Sequence, residues 1–150
     1  MLDLAFALAL ENAGFGKYGD TIWFGTSPVL SDGSVSADTG VWVNMTAGSA
    51  NHAVKMATIT ISTRADDVVY QGLLDAHIHE WCDNVLPLMC ELSCHPIIEL
   101  SYKLVSVSAS QAETLEAVDS EGRWVKTITL QVSYQLSGEL PSLEDYEAIE

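Results

Sequence analysis

The stretch that decides the fold is residues 127–136, TITLQVSYQL, in which polar and apolar side chains alternate without interruption. Alternation with a period of two is typical of a β-strand with one covered and one open face. It predicts a long strand over residues 123–136 whose apolar side chains, from Ile128 to Leu136, face the core. The other face of this strand begins with Thr127, Thr129, Gln131 and Ser133.

A second alternating stretch, residues 54–64, predicts another strand, with Ala57, Ile59 and Ile61 on its apolar face. The opposite face is rich in hydroxyl groups and must meet water or another polar surface. Contacts between protein subunits tolerate polar, water-containing surfaces. We therefore predict that one or both of these polar faces lie at or near a subunit contact. The candidate contact residues are Thr58, Thr60, Ser62, Thr127, Thr129, Gln131 and Ser133.

Residues 2–13 have the periodicity of a helix, because their larger apolar side chains recur on one wide stripe. Gly14 or Gly16 is a natural end for this helix, since the residue after a helix often adopts a positive φ. The stripe consists of Leu2, Phe6, Ala9, Leu10 and Ala13.

Residues 66–86 predict a second helix, which begins with carboxylates where the helix dipole favours them, at Asp66 and Asp67. Pro87 prevents its continuation. The predicted core stripe is Tyr70, Leu74, Ile78, Trp81 and Val85. The predicted opposite side carries Asp75, His79 and Asp83.

The rest of the chain is predicted to form short strands and loops. Strands are predicted at residues 21–24, 41–46 and 100–109, loops at 25–40 and 47–53, and a hairpin turn at 119–122. The apolar positions of residues 100–109 change parity between Leu104 and Val105, which predicts a β-bulge.

This order of elements predicts an α+β fold, with two helices packed on a mainly antiparallel, mixed β-sheet. A chain of 150 residues is long enough for one hydrophobic core. We expect a single domain over residues 1–138, followed by an acidic C-terminal tail over residues 139–150 that contains no basic residue.

The charge of the chain limits its possible partners. Asp and Glu number 21 and Lys and Arg number 6, which gives a net charge of −15 at pH 7. Binding to DNA phosphates and docking to anionic membranes both require basic side chains, so the charge argues against both. Three cysteines are too few for a disulfide framework, and no apolar stretch is long enough to cross a bilayer. We expect a protein of the cytoplasm.

Residues 14–19 match the dinucleotide-binding pattern G-x-G-x-x-G letter for letter. That pattern binds pyrophosphate when a strand delivers it to the beginning of a helix. Here a predicted helix precedes the glycines and a strand follows them, so a role in capping and turning is favoured and no cofactor is predicted.

Potential metal ligands concentrate between His77 and His95. His77 and His79 project about 200° apart on a helix, so they cannot bind one ion together. His79 and Cys82 could bind one ion, and Cys90, Cys94 and His95 could complete a zinc site, but this spacing is unfamiliar. We therefore favour packing of these side chains over a metal site. We expect His77 to border the core and His79 to lie in solvent. No catalytic motif occurs, so we predict that the chain is not an enzyme.

The order of several short motifs resembles the tail terminator, or minor capsid, proteins that join head and tail in phage. The end of the first helix, LENAGFG at residues 10–16, resembles the start of that family, and Ile22–Gly25 resembles its next strand. The strand Ala57–Arg64 with the helix from Asp66 resembles its central β-α unit. DSEGR at residues 119–123 resembles its final hairpin.

This resemblance covers residues 2–136 and implies a virion structural protein. It implies a homo-oligomer, a hexameric ring, that ends the tail tube and contacts the tube protein and the head–tail connector proteins. DNA would pass through the lumen of the ring without specific binding. The alternative is an acidic cytoplasmic binding module, either a DNA mimic or a partner-docking domain. A mass measurement in solution separates the ring from the small module.

Overall fold

The structure is a computed structural model that describes residues 1–24, 40–49, 54–65, 67–109, 117–118 and 124–144. Within these ranges the chain has an α+β single-domain fold, with two α-helices on a mixed sheet, as predicted. The helices are α1 (Leu2–Asn12) and α2 (Val68–Asn84), followed by a 3-10 turn (Leu86–Leu88). The strands are β1 (Ile22–Phe24), β2 (Gly40–Ser49), β3 (Lys55–Ala65), β4 (Glu91–Ser93), β5 (Ser101–Ala109), β6 (Ala117–Val118) and β7 (Trp124–Ser137).

The sheet has the strand order β1-β2-β3-β7-β5-β4, and β6 pairs with the start of β7. Strand β1 is parallel to β2, and the other pairs are antiparallel. The two strands with the clearest alternation, β3 and β7, are direct neighbours, in register from Lys55 opposite Tyr134 to Ala65 opposite Trp124. Their apolar faces therefore form one surface and their polar faces another.

Helix α1 lies at the centre of the core. Every side chain from Leu4 to Leu10 is buried, so the helix is covered all round and not only along the predicted stripe. It packs against β1 and β2 near one edge of the sheet and against β4 and β5 near the other. Ala13, which was assigned to the stripe, lies beyond the helix and is exposed.

Helix α1 ends in the predicted glycine cap. Gly14 has a φ of +91°, and its N–H donates to the carbonyl oxygen of Glu11. The N–H of Phe15 donates to the carbonyl oxygen of Leu10. These two bonds define a Schellman motif, which satisfies carbonyl groups that the end of a helix leaves open.

Helix α2 begins two residues later than predicted, with Asp67 as its N-cap, and it is rotated relative to the predicted stripe. The side chain of Asp67 accepts from the N–H groups of Val69 and Tyr70 at 2.8 and 3.1 Å. The prediction is right for Ile78 and Trp81 and wrong for Tyr70 and Val85, which are exposed. It is also wrong for Asp75. The buried residues of this helix are Gln71, Asp75, Ile78, Trp81 and Cys82.

A buried polar contact accounts for this rotation. The Gln71 amide donates from Nε2 to Oγ1 of Thr63 at 2.8 Å, and both side chains are fully buried. Asp75 follows one turn later on the same side of the helix. A hydropathy pattern places Gln and Asp on the outward side of a helix. The stripe that it predicts for α2 is therefore rotated away from the one observed.

The parity change in β5 corresponds to a bulge. The register of β5 against β7 shifts between Leu104 and Ser106, which leaves Val105 as the extra residue. The prediction is therefore confirmed. As a result, Val107 returns to the covered face of the sheet opposite Val132, and Ser106 and Ser108 return to the polar face.

Other boundaries differ from the predicted ones. Strand β2 extends through residues 47–49, which were assigned to a loop, because a bulge between Met45 and Ala47 preserves its pairing with β3. The short strand β4 was not predicted. The predicted loop residues 25–39 and 50–53, the turn 119–122 and tail residues 145–150 lie outside the described residues.

Candidate subunit interface

The structure brings all of the predicted contact residues together on one face of the β3–β7 pair. Thr58 lies opposite Gln131, Thr60 opposite Thr129, and Ser62 opposite Thr127. Ser133 continues the same face opposite Met56. The helices pack on the other face, where Ile59, Ile61, Ile128 and Leu130 belong to the hydrophobic core. We call the side away from the helices the polar face.

Hydrogen bonds run across the strands of the polar face. The Thr58 hydroxyl donates to Oε1 of Gln131 at 3.1 Å, and the hydroxyl oxygens of Ser62 and Thr127 lie 3.0 Å apart. The Thr60 hydroxyl donates to the carbonyl oxygen of Asn44 at 3.3 Å. These bonds hold the side chains in defined positions, so a partner would meet a preorganised surface at Thr58, Thr60 and Gln131. Ser62 is only 6% exposed, so this predicted contact residue is buried within the chain itself.

The polar face is wider than the sequence predicts. On the β2 side Asn44 lies opposite Thr60, and on the β5 side Ser106 and Ser108 lie opposite Ser133 and Gln131. The signal for these residues is present in the chain as short alternating stretches. It is harder to find there because a bulge interrupts each stretch.

One corner of the polar face is aromatic, and we call it the tryptophan corner. Trp23 and Trp42 are paired residues of β1 and β2, and both are half-buried. The guanidinium of Arg64 lies 5.3 Å from the centre of the Trp42 ring, a cation–π arrangement, and Arg64 is 3% exposed. The Trp23 ring covers Gly40 so closely that a Cβ there would collide with it. Trp23 and Trp42 keep part of their surface open, whereas Arg64 is buried within the chain. Tryptophan is among the residues that most often dominate binding energy at interfaces.

The polar face carries few charges, although the chain carries a net charge of −15. The strand register places Arg64 and Lys103 on this face, with Glu91 opposite Lys103 near the β4 edge. Within the described strands, this face carries one acidic residue, Glu91. Away from the β4 edge, subunits of like charge can therefore approach through this face without bringing carboxylates into contact.

The potential metal ligands of α2 and the following segment are dispersed. His77 is exposed, whereas His79 is half-buried with a buried Nε2 that has no hydrogen-bond partner, which reverses the predicted order. The rotation of α2 that buries Asp75 is the reason. Cys82 and Cys94 are buried and Cys90 is exposed. In the ranges that the structure describes, no group of at least three His, Cys, Asp or Glu side chains is arranged to hold a metal ion.

The two buried cysteines are chemically protected. Burial raises the pKa of Cys82 to about 12, and the carboxylates of Asp83 and Asp75 add to the effect. Burial also raises the pKa of Cys94, whose thiol donates to the carbonyl oxygen of Met1 at 3.6 Å. The thiolate is the reactive form of cysteine, so these side chains act as packing groups.

The glycine motif at residues 14–19 follows a helix and precedes β1. Gly14 and Gly19 have φ values of +91° and +86°, as turn glycines do. The N–H of Tyr18 donates to Oε2 of Glu11 at 2.6 Å. The motif thus turns the chain at the carbonyl end of α1, and a phosphate here would face carbonyl groups instead of N–H groups.

The acidic side chains on α2 and at its start differ in exposure. Asp67, Glu80 and Asp83 on α2 are exposed. Asp75 is 7% exposed, so it does not form part of an open acidic surface. Asp66 lies outside the described residues.

Neither described helix is long and apolar enough to cross a membrane. Comparison with known proteins finds no family model that matches the chain and no curated protein that matches it significantly.

Proposed function

We propose that the chain is a structural virion protein, a tail terminator subunit whose ring caps the phage tail tube and joins it to the head connector. The observation that carries this proposal is the polar face, a broad, ordered and nearly uncharged surface on a strongly acidic chain. The resemblance of the short motifs supports it. The proposal includes no catalytic residue, cofactor or metal.

Assembly into a ring requires acidic subunits to come close together. Charges on different subunits repel strongly within a Debye length, about 8 Å at physiological salt. Burying a carboxylate without a partner also costs on the order of several kcal/mol in lost hydration. A contact through hydroxyl and amide groups avoids both costs, and the tryptophan corner adds apolar area to it.

The same charge suits a channel for DNA. Asp67, Glu80 and Asp83 project into solvent from α2, as do Glu139 and Glu144 near the C-terminal end. If some of these carboxylates line the lumen, they repel DNA phosphates and prevent adhesion during passage. We propose this arrangement for the exposed acids only, since Asp75 is buried.

The direct test is to polymerise the tail tube protein of the same phage with this protein present. We expect tubes that stop growing and carry a ring at one end in electron micrographs. The double variant Thr129→Lys with Gln131→Lys places two cations on the polar face of each subunit and should leave the tubes uncapped. The matched control adds two cations at exposed positions elsewhere, Asn84→Lys with His95→Lys, and should still cap. Tubes that grow to the same length with and without the wild-type protein contradict the proposal.

The net charge of −15 also favours the second candidate, an acidic binding module. Such a module imitates DNA or docks on a basic protein and does not need to assemble with itself. It remains a 16.2 kDa species in sedimentation experiments and binds a basic partner with an affinity that falls steeply with salt. A closed oligomer whose association depends only weakly on salt supports the ring.

A further inference from the structure

Helix α2 exposes an apolar surface that does not belong to the polar face. Val69 is 67% exposed and Leu73 is 56% exposed, and Tyr70 lies between them along the helix. This surface borders a cleft of about 360 Å³ between the end of α1 and α2. The cleft is lined by Gly14, Phe15, Tyr70, Leu73, Leu74 and His77. We call it the α2 cleft.

The floor of the α2 cleft is rigid. The Phe15 ring packs edge-on against Trp81 with 6.3 Å between the ring centres, and Trp81 belongs to the core. The Schellman cap fixes the backbone of Gly14 and Phe15. An apolar cleft with a fixed floor and an exposed rim is suited to receive a few apolar side chains of a partner.

The same chain carries exposed apolar side chains that have no cover among the described residues. After β7 the chain continues through Leu140 and Leu143, which are 68% and 83% exposed. Three residues span at most about 10 Å of chain, so both leucines can contact one cleft. Tyr146 and Ile149 follow at the same three-residue spacing in the sequence.

Leu140 and Leu143 of a subunit lie too far along the sheet to enter the α2 cleft of the same subunit. Strand β7 runs from Trp124, opposite Ala65, to Ser137, and at about 3.3 Å per residue this separates its ends by roughly 40 Å. Helix α2 begins three residues after Ala65, so the cleft lies near the Trp124 end, and the first turns of the helix return by only about 10 Å. Leu143 is six residues beyond Ser137, a reach of at most about 20 Å.

We propose that Leu140 and Leu143 of one subunit bind in the α2 cleft of a neighbouring copy of the chain. The two surfaces are different and lie at opposite ends of the sheet, so the contact is heterologous. Contacts of this kind link subunits head to tail, and they close into a ring when the rotation permits. This contact is separate from the polar face, and it holds whether or not the assembly ends a tail tube.

The test isolates this contact from the polar face by using the Thr129→Lys, Gln131→Lys background. In sedimentation velocity, Leu140→Ser with Leu143→Ser should weaken the remaining association by about a hundredfold, and Leu73→Ser by about tenfold. Leu88→Ser is the matched control, because Leu88 is 80% exposed and lies outside both surfaces, and it should leave the association unchanged.

Mixing the two defective proteins gives the decisive result. One retains an intact cleft and the other an intact C-terminal segment, so each mixed pair has one working contact and one-to-one dimers should form. At a concentration between the dissociation constant of the background protein and those of the two variants, each variant alone should sediment mainly as a folded monomer with an unchanged circular dichroism spectrum. A mixture that remains monomeric overturns the inference, and so does association that survives in the Leu140→Ser, Leu143→Ser protein. Such a result leaves the tube-capping proposal intact, since that proposal depends on the polar face.

Discussion

The two faces of the β3–β7 pair alternate along the same residues and have opposite physical characters. Ile59, Ile61, Ile128 and Leu130 are at most 1% exposed and pack under the helices. Thr60 and Thr129, which are neighbours on the polar face, make hydrogen bonds or meet solvent instead. The covered face stabilises the folded monomer, and the polar face contributes little to that stability. We propose that its regularity serves contacts between subunits.

The largest expected effect belongs to the covered face. Leu130→Ala should lower the free energy of unfolding by about 2–5 kcal/mol, because it leaves a cavity in a fully buried site. Urea denaturation measures this effect. Thr129→Ala, the neighbouring residue on the polar face, should cost less than about 1 kcal/mol. Equal losses for both variants would show that the two faces do not differ in the way described.

The next largest effect is expected for self-association when the tryptophan corner is changed. Trp42→Ala removes the ring over which Arg64 lies and should raise the dissociation constant for self-association by roughly 30-fold or more, as for other aromatic hot spots. The measurement is sedimentation equilibrium of the variant against wild type. Trp42→Phe retains an aromatic face and should recover most of the affinity. If Trp42→Ala assembles normally, the corner is not part of the contact.

Burial of titratable groups elsewhere in the fold, on α2 and on β5, controls behaviour at high pH. Burial raises the pKa of Cys82 to about 12, and burial with nearby Cys94, Tyr134 and Asp3 does the same for Tyr102. The folded state then retains protons that the unfolded state loses, so the stability from these groups is complete below about pH 9 and is lost as the pH rises to about 12.

We expect the urea midpoint to fall across this alkaline range and to fall less in Cys82→Ala. Lys103→Gln, a change on the polar face beside Tyr102, should leave the slope unchanged. A midpoint in Cys82→Ala with the wild-type pH dependence would contradict the assignment.

The sequence carries most of the information about the sheet. The unbroken alternation from Thr127 to Tyr134 predicts both faces of β7, and the parity change at Leu104 predicts the bulge in β5. These predictions succeed because each strand residue has only two possible sides, so a simple pattern determines which side it takes. The adjacency of β3 and β7 depends on long-range pairing and comes only from the structure.

The helices show where such pattern reading fails. Gln71 and Asp75 count as polar in any hydropathy pattern, yet both are buried, and the rotation of α2 follows from them. The burial of α1 on all sides depends on both edges of the sheet reaching it. The tryptophan corner unites residues of three strands, so no local stretch predicts it.

The most direct test of the central claim is the mass of the assembled protein with and without the Thr129→Lys, Gln131→Lys change. We predict that wild type forms a closed oligomer of about six subunits, as ring symmetry allows. The double variant should lose this closed oligomer and keep a urea midpoint close to that of wild type. It should sediment as folded 16.2 kDa monomers in equilibrium with small species that are held together only by the contact between Leu140, Leu143 and the α2 cleft. The same closed oligomer from both proteins, at the same concentration and salt, would show that the polar face is only a solvated surface.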